Sequence, residues 1–249
     1  MPAATPQYLQ IQTQLADEIA QGLLGADAKL AGERELAVRF GCTRVTLREA
    51  LQQLEAEGLI YRENRRGWYV APPRIRYNPT RLSGFMDYVA AQGRRPRTET
   101  LAAELRAAGP RLAARLQLAE DAPVFHLTRR RWVDQRPVLI EINVIDASWC
   151  PGLLDHQLDT SLTWLFRQKF GLQQTRCELA MHSSTMPAPQ AALMQIASGA
   201  PSLQIERLCY AAGNSASAPE RPVEFDQEFW RPDALSVELE ASLSGRPSA

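Results

Sequence analysis

The sequence predicts an α+β protein, with an N-terminal winged helix-turn-helix and a C-terminal domain built on an antiparallel sheet. Between residues 33 and 58, apolar residues recur at helical spacing on both sides of Gly41, which indicates two helices joined by a tight turn. From residue 124 onward, strand-like and helix-like segments follow one another, beginning with a hairpin. A length of 249 residues accommodates two domains, which we place at residues 6–72 and 83–243, with a linker over 73–82.

Composition and charge narrow the classes of protein. Hydrophobic residues make up 45% of the chain and charged residues 22%, as is typical of globular domains. No apolar stretch reaches the roughly 18 residues of a membrane span, and the first residues do not resemble a signal peptide, so we expect a cytoplasmic protein. The 28 basic and 28 acidic residues cancel, so contact with nucleic acid must come from a local basic patch.

The cysteines and histidines predict neither a disulfide framework nor a metal site. They are widely scattered, and no two cysteines form a CxxC pair. We therefore expect structural or surface roles for them, and no catalytic residues, metal or cofactor. The residues are Cys42, Cys150, Cys177 and Cys209 with His126, His156 and His182.

Three helices are predicted in the N-terminal domain. The first ends near Gly22, and its apolar face is formed by Tyr8, Ile11, Leu15 and Ile19. The second runs from about Glu33 to Phe40. The third begins at Thr43, a favourable N-cap residue, and its buried face is formed by Leu47, Ala50, Leu51 and Leu54.

The exposed face of the third helix carries Arg44 and Arg48, which lie four residues apart on one side. Arginine binds guanine through two hydrogen bonds in the major groove, and threonine contacts phosphate or a thymine methyl. The alternative is that these arginines only solvate a helix face. The wing that follows favours DNA binding.

The wing is predicted from two short strands, Leu59–Arg62 and Gly67–Ala71, that form a β-hairpin after the third helix. The turn between them contains Arg65 and Arg66. Basic residues at such a tip suit phosphates or the minor groove.

The segment from Glu33 to Ile60 contains, in order, Glu-Arg-Glu-Leu-Ala, Phe-Gly and Thr-Arg-x-Thr-Leu-Arg-x-Ala-Leu. This pattern resembles the winged-helix domain of the GntR family of bacterial transcription regulators. One departure is Ala31-Gly32, where the family usually has Pro-Ser; we expect a weaker cap on the second helix and retained DNA binding. The resemblance implies DNA contacts by Arg34, Thr43, Arg44, Thr46, Arg48 and the wing glycine Gly67.

The C-terminal domain follows a proline-rich connector, Ala71–Pro79, which we expect to be semi-rigid. Short helices are predicted around residues 85–89 and 112–118, and longer ones at 162–170, capped by Ser161, and 188–196. Strands are predicted at 124–133, 138–145, 176–184, 202–210 and 223–230, and a mobile loop at 212–219.

The first of these strands places Arg129 and Arg131 on one face, because side chains alternate along a strand. Two such arginines suit a phosphate or carboxylate. Glu141 lies within the apolar partner strand, where a carboxylate is costly unless it is paired. The alternative to a ligand site is therefore a structural bridge between Glu141 and one of the arginines.

This half of the chain resembles the UTRA effector domain of the HutC branch of GntR regulators, a fold similar to chorismate lyase. The matching features are Arg129-x-Arg131, the turn before Pro137, Glu141, Ser161-Leu, Lys169-Phe-Gly171 and Glu224 with Trp230-Arg-x-Asp233. The resemblance implies a cleft for a small anionic metabolite. Arg129 and Arg131 would bind its anionic group, and Ser161 would assist them. Glu141 and Glu224 would bind an amine or hydroxyl group. Trp230 would close the apolar side.

The wing and connector, residues 65–80, further resemble those of phosphonate-utilisation regulators, especially regulators of 2-aminoethylphosphonate catabolism. The sequence thus predicts a homodimeric repressor of a palindromic double-stranded DNA operator, controlled by a phosphonate, a sugar phosphate or a carboxylate. Two alternatives are a lyase-like enzyme that uses the UTRA cleft and a DNA binder that needs no effector. No nucleophile–base pair, metal cluster or glycine-rich phosphate loop supports the enzyme.

Overall fold

The structure is a computed structural model that describes residues 5–63, 66–81, 83–212 and 219–240. It divides into two compact units. The first, called here the N-terminal unit, contains the chain up to Arg74 together with Thr185–Ser202 and Arg231–Ala234; the remaining segments form the sheet unit. Among the described helices, none is long and apolar enough to cross a membrane.

The three predicted helices of the N-terminal unit are confirmed. They are α1 (Gln7–Ala20), α2 (Glu33–Arg39) and α3 (Arg44–Ala56). Their apolar faces form one core, in which Leu15, Leu47, Leu51 and Leu54 are fully buried. Burial of these faces, more than intrinsic helix propensity, stabilises such short helices.

The helix ends differ in their capping. The Thr43 Oγ1 accepts a hydrogen bond of 3.2 Å from the Thr46 backbone N–H, so α3 begins on a side-chain cap as predicted. Gly32 precedes α2 and supplies no side-chain cap. Nothing lies within 4 Å of the position that a Cβ on Gly32 would take.

The predicted hairpin is confirmed as strands β1 (Ile60–Glu63) and β2 (Gly67–Val70), which pair antiparallel. The segment before α2, predicted as a loop, adds a bridge from Lys29 to Tyr69 on the outer side of β2. The helix α7 (Ala188–Met194) also belongs to the N-terminal unit.

The sheet unit contains two sheets. Strand β3 (Ile75–Tyr77), inside the predicted connector, pairs in parallel with β10 (Leu235–Val237). The second sheet has six strands in the order β4-β5-β6-β9-β8-β7. Its strands are β4 (Pro96–Ala107), β5 (Pro123–Val133), β6 (Arg136–Asp146), β7 (Gln174–Thr185), β8 (Pro201–Ala212) and β9 (Glu220–Trp230).

Helices pack around this sheet and give it a core. They are α4 (Phe85–Ala90), α5 (Gly109–Leu116), α6 (Leu162–Lys169) and a 3-10 turn, Leu153–Asp155. A buried cluster joins α6 to the inner strands through Leu127, Phe166 and Val223. The predicted loop over 212–219 falls mostly outside the described residues.

Two features of the sheet unit differ from the prediction. Strand β4 was not predicted, because its Ala, Leu, Glu and Arg residues favour a helix in isolation, and its pairing with β5 overrides that preference. The expectation that no disulfide forms was wrong, since a disulfide joins Cys177 to Cys209. Sequence spacing could not show that β7 and β8 would become neighbours.

The open space at Gly32 leads to a prediction about stability. Gly32→Ser should raise the free energy of unfolding by about 0.5–1 kcal/mol, because serine caps α2 and restricts the unfolded chain. Urea unfolding of the purified chain measures this change.

Gly25→Ser is the matched control, since Gly25 also has open space around it but does not cap a helix. Gly25→Ser therefore measures only the stability change that comes from restricting the unfolded chain. Equal stability changes for the two variants would show that the hydroxyl introduced by Gly32→Ser forms no cap.

Candidate functional site

The exposed face of α3 carries the side chains that were predicted to contact DNA. Thr43, Arg44 and Arg48 are exposed, and Val45 beside them is 77% exposed. The hydroxyls of Thr43 and Thr46 lie 3.0 Å apart at the start of the helix. The first turn of α3 thus presents hydroxyl groups, guanidinium groups and one exposed apolar side chain. These are the kinds of side chain that contact base edges in a DNA major groove.

Glu33 on α2 holds one of these arginines. The Arg48 Nε donates to the Glu33 Oε2 at 2.9 Å, although the Arg48 side chain is 59% exposed. Burial would raise the pKa of Glu33, but the hydrogen bonds from Arg48 and Trp68 outweigh it and lower that pKa. Arg34, on the same helix as Glu33, is exposed to solvent.

The wing adds further basic groups to this unit. Arg66 is exposed and lies 2.9 Å from Glu63, whereas Arg65 lies outside the described residues. Gly67 has a φ of 106°, a conformation that favours glycine, and a Cβ there would lie 3.5 Å from the Lys29 side chain. Lys29 is thus a basic neighbour of the wing that the sequence analysis did not include.

The sheet unit contains a cavity between the strands β5 to β9 and the helices α4 and α6. It encloses about 60 Å³, which is room for a few water molecules. The predicted residues Arg129, Arg131, Glu141, Ser161 and Glu224 all line it. The fold therefore brings together side chains that are distant in sequence.

At one wall of the cavity, Glu141 is held between two arginines. Its Oε2 accepts from the Arg129 Nη2 at 2.7 Å and from the Arg131 Nη2 and Nε at 2.7 Å and 3.0 Å. The three side chains are almost completely buried. Burial alone would raise the pKa of Glu141, but the two arginines lower it to about 2.

Every nitrogen of the two guanidinium groups has at least one hydrogen-bond acceptor. The Arg129 Nε donates to Asn143 at 2.9 Å, and its Nη1 donates to the Thr160 carbonyl at 3.3 Å. The Arg131 Nη1 donates to the Thr98 hydroxyl at 2.7 Å. The bridging arrangement considered from the sequence therefore exists, and it involves both arginines.

A row of carboxylates on β9, the strand beside β6, also lines the cavity, and Glu228 lies directly opposite Glu141 in the pairing of these strands. Glu224, Asp226 and Glu228 share one face because they alternate along the strand, and all three are buried. Arg207 on β8 donates from its Nε to Asp226 at 3.1 Å and from its Nη2 to Glu228 at 2.7 Å. Burial raises the pKa of all three carboxyl groups, and repulsion from the nearby Glu141 carboxylate adds to the effect in each case.

Glu224 differs from its neighbours in this row. It accepts from two neutral amides, the Asn143 Nδ2 at 3.2 Å and the Gln174 Nε2 at 2.6 Å. Within the described chain, no arginine, lysine or histidine lies within ion-pairing distance of Glu224. It is thus a buried carboxylate without an ionic partner of its own.

The other predicted residues occupy supporting positions. Ser161 lines the cavity and caps α6, accepting from the Trp164 N–H at 3.2 Å. Trp230 is buried but does not line the cavity; its Nε1 donates to Glu228 at 2.7 Å and its ring packs on Phe85. Its contribution to the site is to hold Glu228.

Arg207, Asp226, Glu228 and Asn143 were not predicted from the sequence. The alternation of acidic residues along β9 could have indicated Asp226 and Glu228, since Glu224, Asp226 and Glu228 are separated by two positions each. The position of Arg207 could not be read in this way, because it depends on the pairing of β8 with β9.

The fold and the two sites define a class of protein, a winged-helix DNA-binding unit joined to a small-molecule-binding domain. Comparison with known sequences agrees. Residues 7–70 match the family described as bacterial regulatory proteins, gntR family, and residues 91–236 match the UTRA domain. The chain belongs to the GntR-family regulators with a UTRA domain, and it is a transcriptional regulator, not an enzyme.

Relatives match this chain over most of their own length. A probable fructoselysine utilization operon transcriptional repressor of Escherichia coli (strain K12) is 24% identical over 234 residues, covering 94% of this chain and 93% of the relative. The repressor NagR of Bacillus subtilis (strain 168) is 29% identical over 211 residues, covering 85% and 87%. The crystal structure of PhnF from Mycobacterium smegmatis has a TM-score of 0.65 at 24% identity, covering 94% and 100%, and shows the same fold.

The carboxylate row leads to a prediction about pH. Because the folded-state pKa of Glu224 is raised, the folded chain holds its proton more tightly than the unfolded chain, and stability falls as pH rises from about 4.5 through that pKa. Glu224→Gln should remove this loss. The stability of the variant relative to the natural chain should therefore increase from pH 4.5 to neutral pH in urea unfolding.

Glu99→Gln provides a control of opposite sign. The Arg130 hydrogen bond lowers the pKa of Glu99, so the stability difference for this variant should be constant above pH 4.5 and shrink below it. A flat difference for Glu224→Gln across the same range would show that Glu224 ionises as easily in the folded chain as in the unfolded one.

Proposed function

We propose that the chain is a homodimeric repressor that acts in the cytoplasm on a palindromic DNA operator and releases it when a small effector binds. The observation that carries the proposal is the pairing, in one chain, of an exposed α3 face rich in DNA-reading groups with a buried polar cavity. The repressor names of the Escherichia coli and Bacillus subtilis relatives support the sign of regulation. A two-fold dimer would present one winged helix to each half-site.

In the DNA-bound form, Arg44 and Arg48 would read base edges, and Thr43 and Thr46 would contact phosphate or a thymine methyl. Arg34 and the wing residues Arg65, Arg66 and Gly67 would position the domain on the backbone. Since Glu33 binds Arg48 in the free chain at 2.9 Å, reading a base with Arg48 requires this exposed ion pair to open. Such an exposed pair contributes only about 0–1 kcal/mol, so opening it costs little.

The effector cavity would bind an anion next to Arg129, Arg131 and Ser161. These are the cationic and hydroxyl groups at one wall, and the N-terminus of α6 adds to the same positive potential. Glu141 occupies both arginines in the free chain, so the ligand anion competes with this carboxylate. The small free volume indicates that the cavity widens as the ligand enters.

The carboxylate row of β9, beside this cluster, would bind a cation. Glu224 has amide partners but no ionic partner within the described chain, so an ammonium group would compensate its charge. A zwitterion with an anionic and an amine end would fit the arginine pair and the adjacent carboxylate row. The wing and connector resemble those of phosphonate regulators, and the fold is that of PhnF, so we propose 2-aminoethylphosphonate as the first ligand to test.

For the DNA site, we predict that Arg44→Ala and Arg48→Ala weaken operator binding more than binding to random DNA. Each bidentate guanine contact is worth about 1–3 kcal/mol of discrimination, or roughly a 5- to 150-fold change in affinity ratio. Fluorescence anisotropy with operator and scrambled duplexes at fixed salt measures both affinities.

Arg111→Ala is the control, because Arg111 is exposed on α5 in the sheet unit. Equal losses on operator and random DNA for Arg44→Ala and Arg48→Ala would mean that both residues contact phosphate only.

For the effector site, we predict that 2-aminoethylphosphonate lowers operator affinity and that ethylphosphonate, which lacks the amine, does so much more weakly. Arg129→Ala should abolish the response and leave operator binding intact, because it removes the anion contact. Glu224→Gln should abolish the preference for the amine, because the ammonium then has no carboxylate partner.

Arg106→Ala, an exposed substitution on β4, should respond like the natural chain. An unchanged response in Arg129→Ala would place the effector elsewhere. Operator binding that no phosphonate, sugar phosphate or carboxylate alters would favour a DNA binder that needs no effector.

A further inference from the structure

The disulfide of the sheet unit lies in the wall of the effector cavity. Cys177 on β7 and Cys209 on β8 both line the cavity, and their Cα atoms are 4.1 Å apart on neighbouring strands. Cys209 lies directly opposite Glu224 in the pairing of β8 with β9. The sulfur pair and the carboxylate without an ionic partner therefore follow one another across three adjacent strands.

The strand that the disulfide attaches is an edge strand. β7 neighbours only β8 in the six-stranded sheet, and most of its side chains are exposed or half-buried. It nevertheless supplies Gln174, which donates to Glu224 at 2.6 Å. Edge strands with few buried contacts open locally at low free energy, so a covalent link to β8 has a large effect on the order of this wall.

The two sulfurs differ in access. Cys209 is buried, with 2% of its surface exposed, whereas Cys177 is half-buried between the exposed side chains of Arg176 and Glu178. The other cysteines, Cys42 and Cys150, take no part in a disulfide. A DNA-binding regulator works in a reducing compartment, where disulfides are usually transient and redox-sensing.

We propose that Cys177 and Cys209 form a reversible dithiol–disulfide pair, oxidised by a low-molecular-weight disulfide, that sets the order of β7 and with it the affinity of the cavity for its ligand. The consequence for ligand binding rests on the proposed function, whereas the redox change and the order of β7 do not. In the oxidised form β7 is fixed on β8, and Gln174 stays on Glu224. In the reduced form β7 is held only by non-covalent contacts.

The exchange is balanced as two thiol–disulfide steps. The more accessible Cys177 loses its proton and attacks one sulfur of the small disulfide, which forms a mixed disulfide and expels one thiolate; that thiolate takes up the proton. Cys209 then loses its proton and attacks the Cys177 sulfur, which expels the second small thiol. Two protein thiols are oxidised, and one small disulfide is reduced to two thiols.

The test uses the full chain without any effector, equilibrated with either glutathione disulfide or dithiothreitol. Alkylation of the chain after it is unfolded in denaturant, followed by mass spectrometry, should find four free thiols after reduction and two, Cys42 and Cys150, after oxidation. Hydrogen–deuterium exchange over residues 174–185 should be at least about threefold faster in the reduced chain. Four thiols in both states, or equal exchange of this segment, would overturn the proposal.

Two variants and one control sharpen the result. Cys177→Ser and Cys209→Ser should exchange like the reduced natural chain even under glutathione disulfide, whereas Cys42→Ser should respond like the natural chain. If either serine variant does not fold, the comparison of the oxidised and reduced natural chain still decides the outcome.

Titration with 2-aminoethylphosphonate extends the test to binding. Its affinity should be about three- to tenfold lower for the reduced chain, because binding then has to order β7. Equal affinities in both states would overturn the link to the cavity. Absence of binding in both states would count against the proposed effector, while the exchange of residues 174–185 still decides whether the cysteine pair controls β7.

Discussion

The ion cluster of Glu141 with Arg129 and Arg131 is the interaction on which the sheet unit depends. Three charged side chains are removed from water there, and desolvation of charges costs several kcal/mol for each ion unless partners replace the water. The two guanidinium groups, Asn143 and Thr98 provide those partners. The cluster thereby fixes the register of β5 against β6 at the centre of the sheet.

The same cluster links stability to binding. The carboxylates of β9 and their partner Arg207 lie beside it on the neighbouring strands β9 and β8. Burial raises the pKa of Glu224, Asp226 and Glu228. Full ionisation of Glu141, Glu224, Asp226 and Glu228 would place four negative charges beside the three positive charges of Arg129, Arg131 and Arg207, and burial opposes that state. A ligand that brings positive charge to this wall would stabilise the folded state by mass action in addition to occupying the site.

Much of this arrangement could be predicted from periodicity. The helical spacing of Leu47, Ala50, Leu51 and Leu54 predicted the buried face of α3, and alternation along β5 placed Arg129 with Arg131. Periodicity gives the face of a residue but not the strand beside it. For this reason two features could not be predicted: the approach of Arg207 to Asp226, which depends on the pairing of β8 with β9, and the Cys177–Cys209 disulfide. Strand β4 was missed for a different reason, because its composition favours a helix.

The charge arrangement also bears on why the proposed zwitterion would fit this cavity better than a plain anion. An anion that takes Arg129 and Arg131 leaves Glu141 as a buried carboxylate without its partners, a situation that costs about 3–5 kcal/mol. Arg207, with its Nη2 3.7 Å from the Glu141 Oε1, already pairs with Asp226 and Glu228 and can offset only part of that cost. A ligand ammonium between Glu141 and Glu224 restores the missing positive charge. The selectivity would then arise from the penalty that the protein's own carboxylates impose on ligands without an amine, as much as from attraction to the arginines.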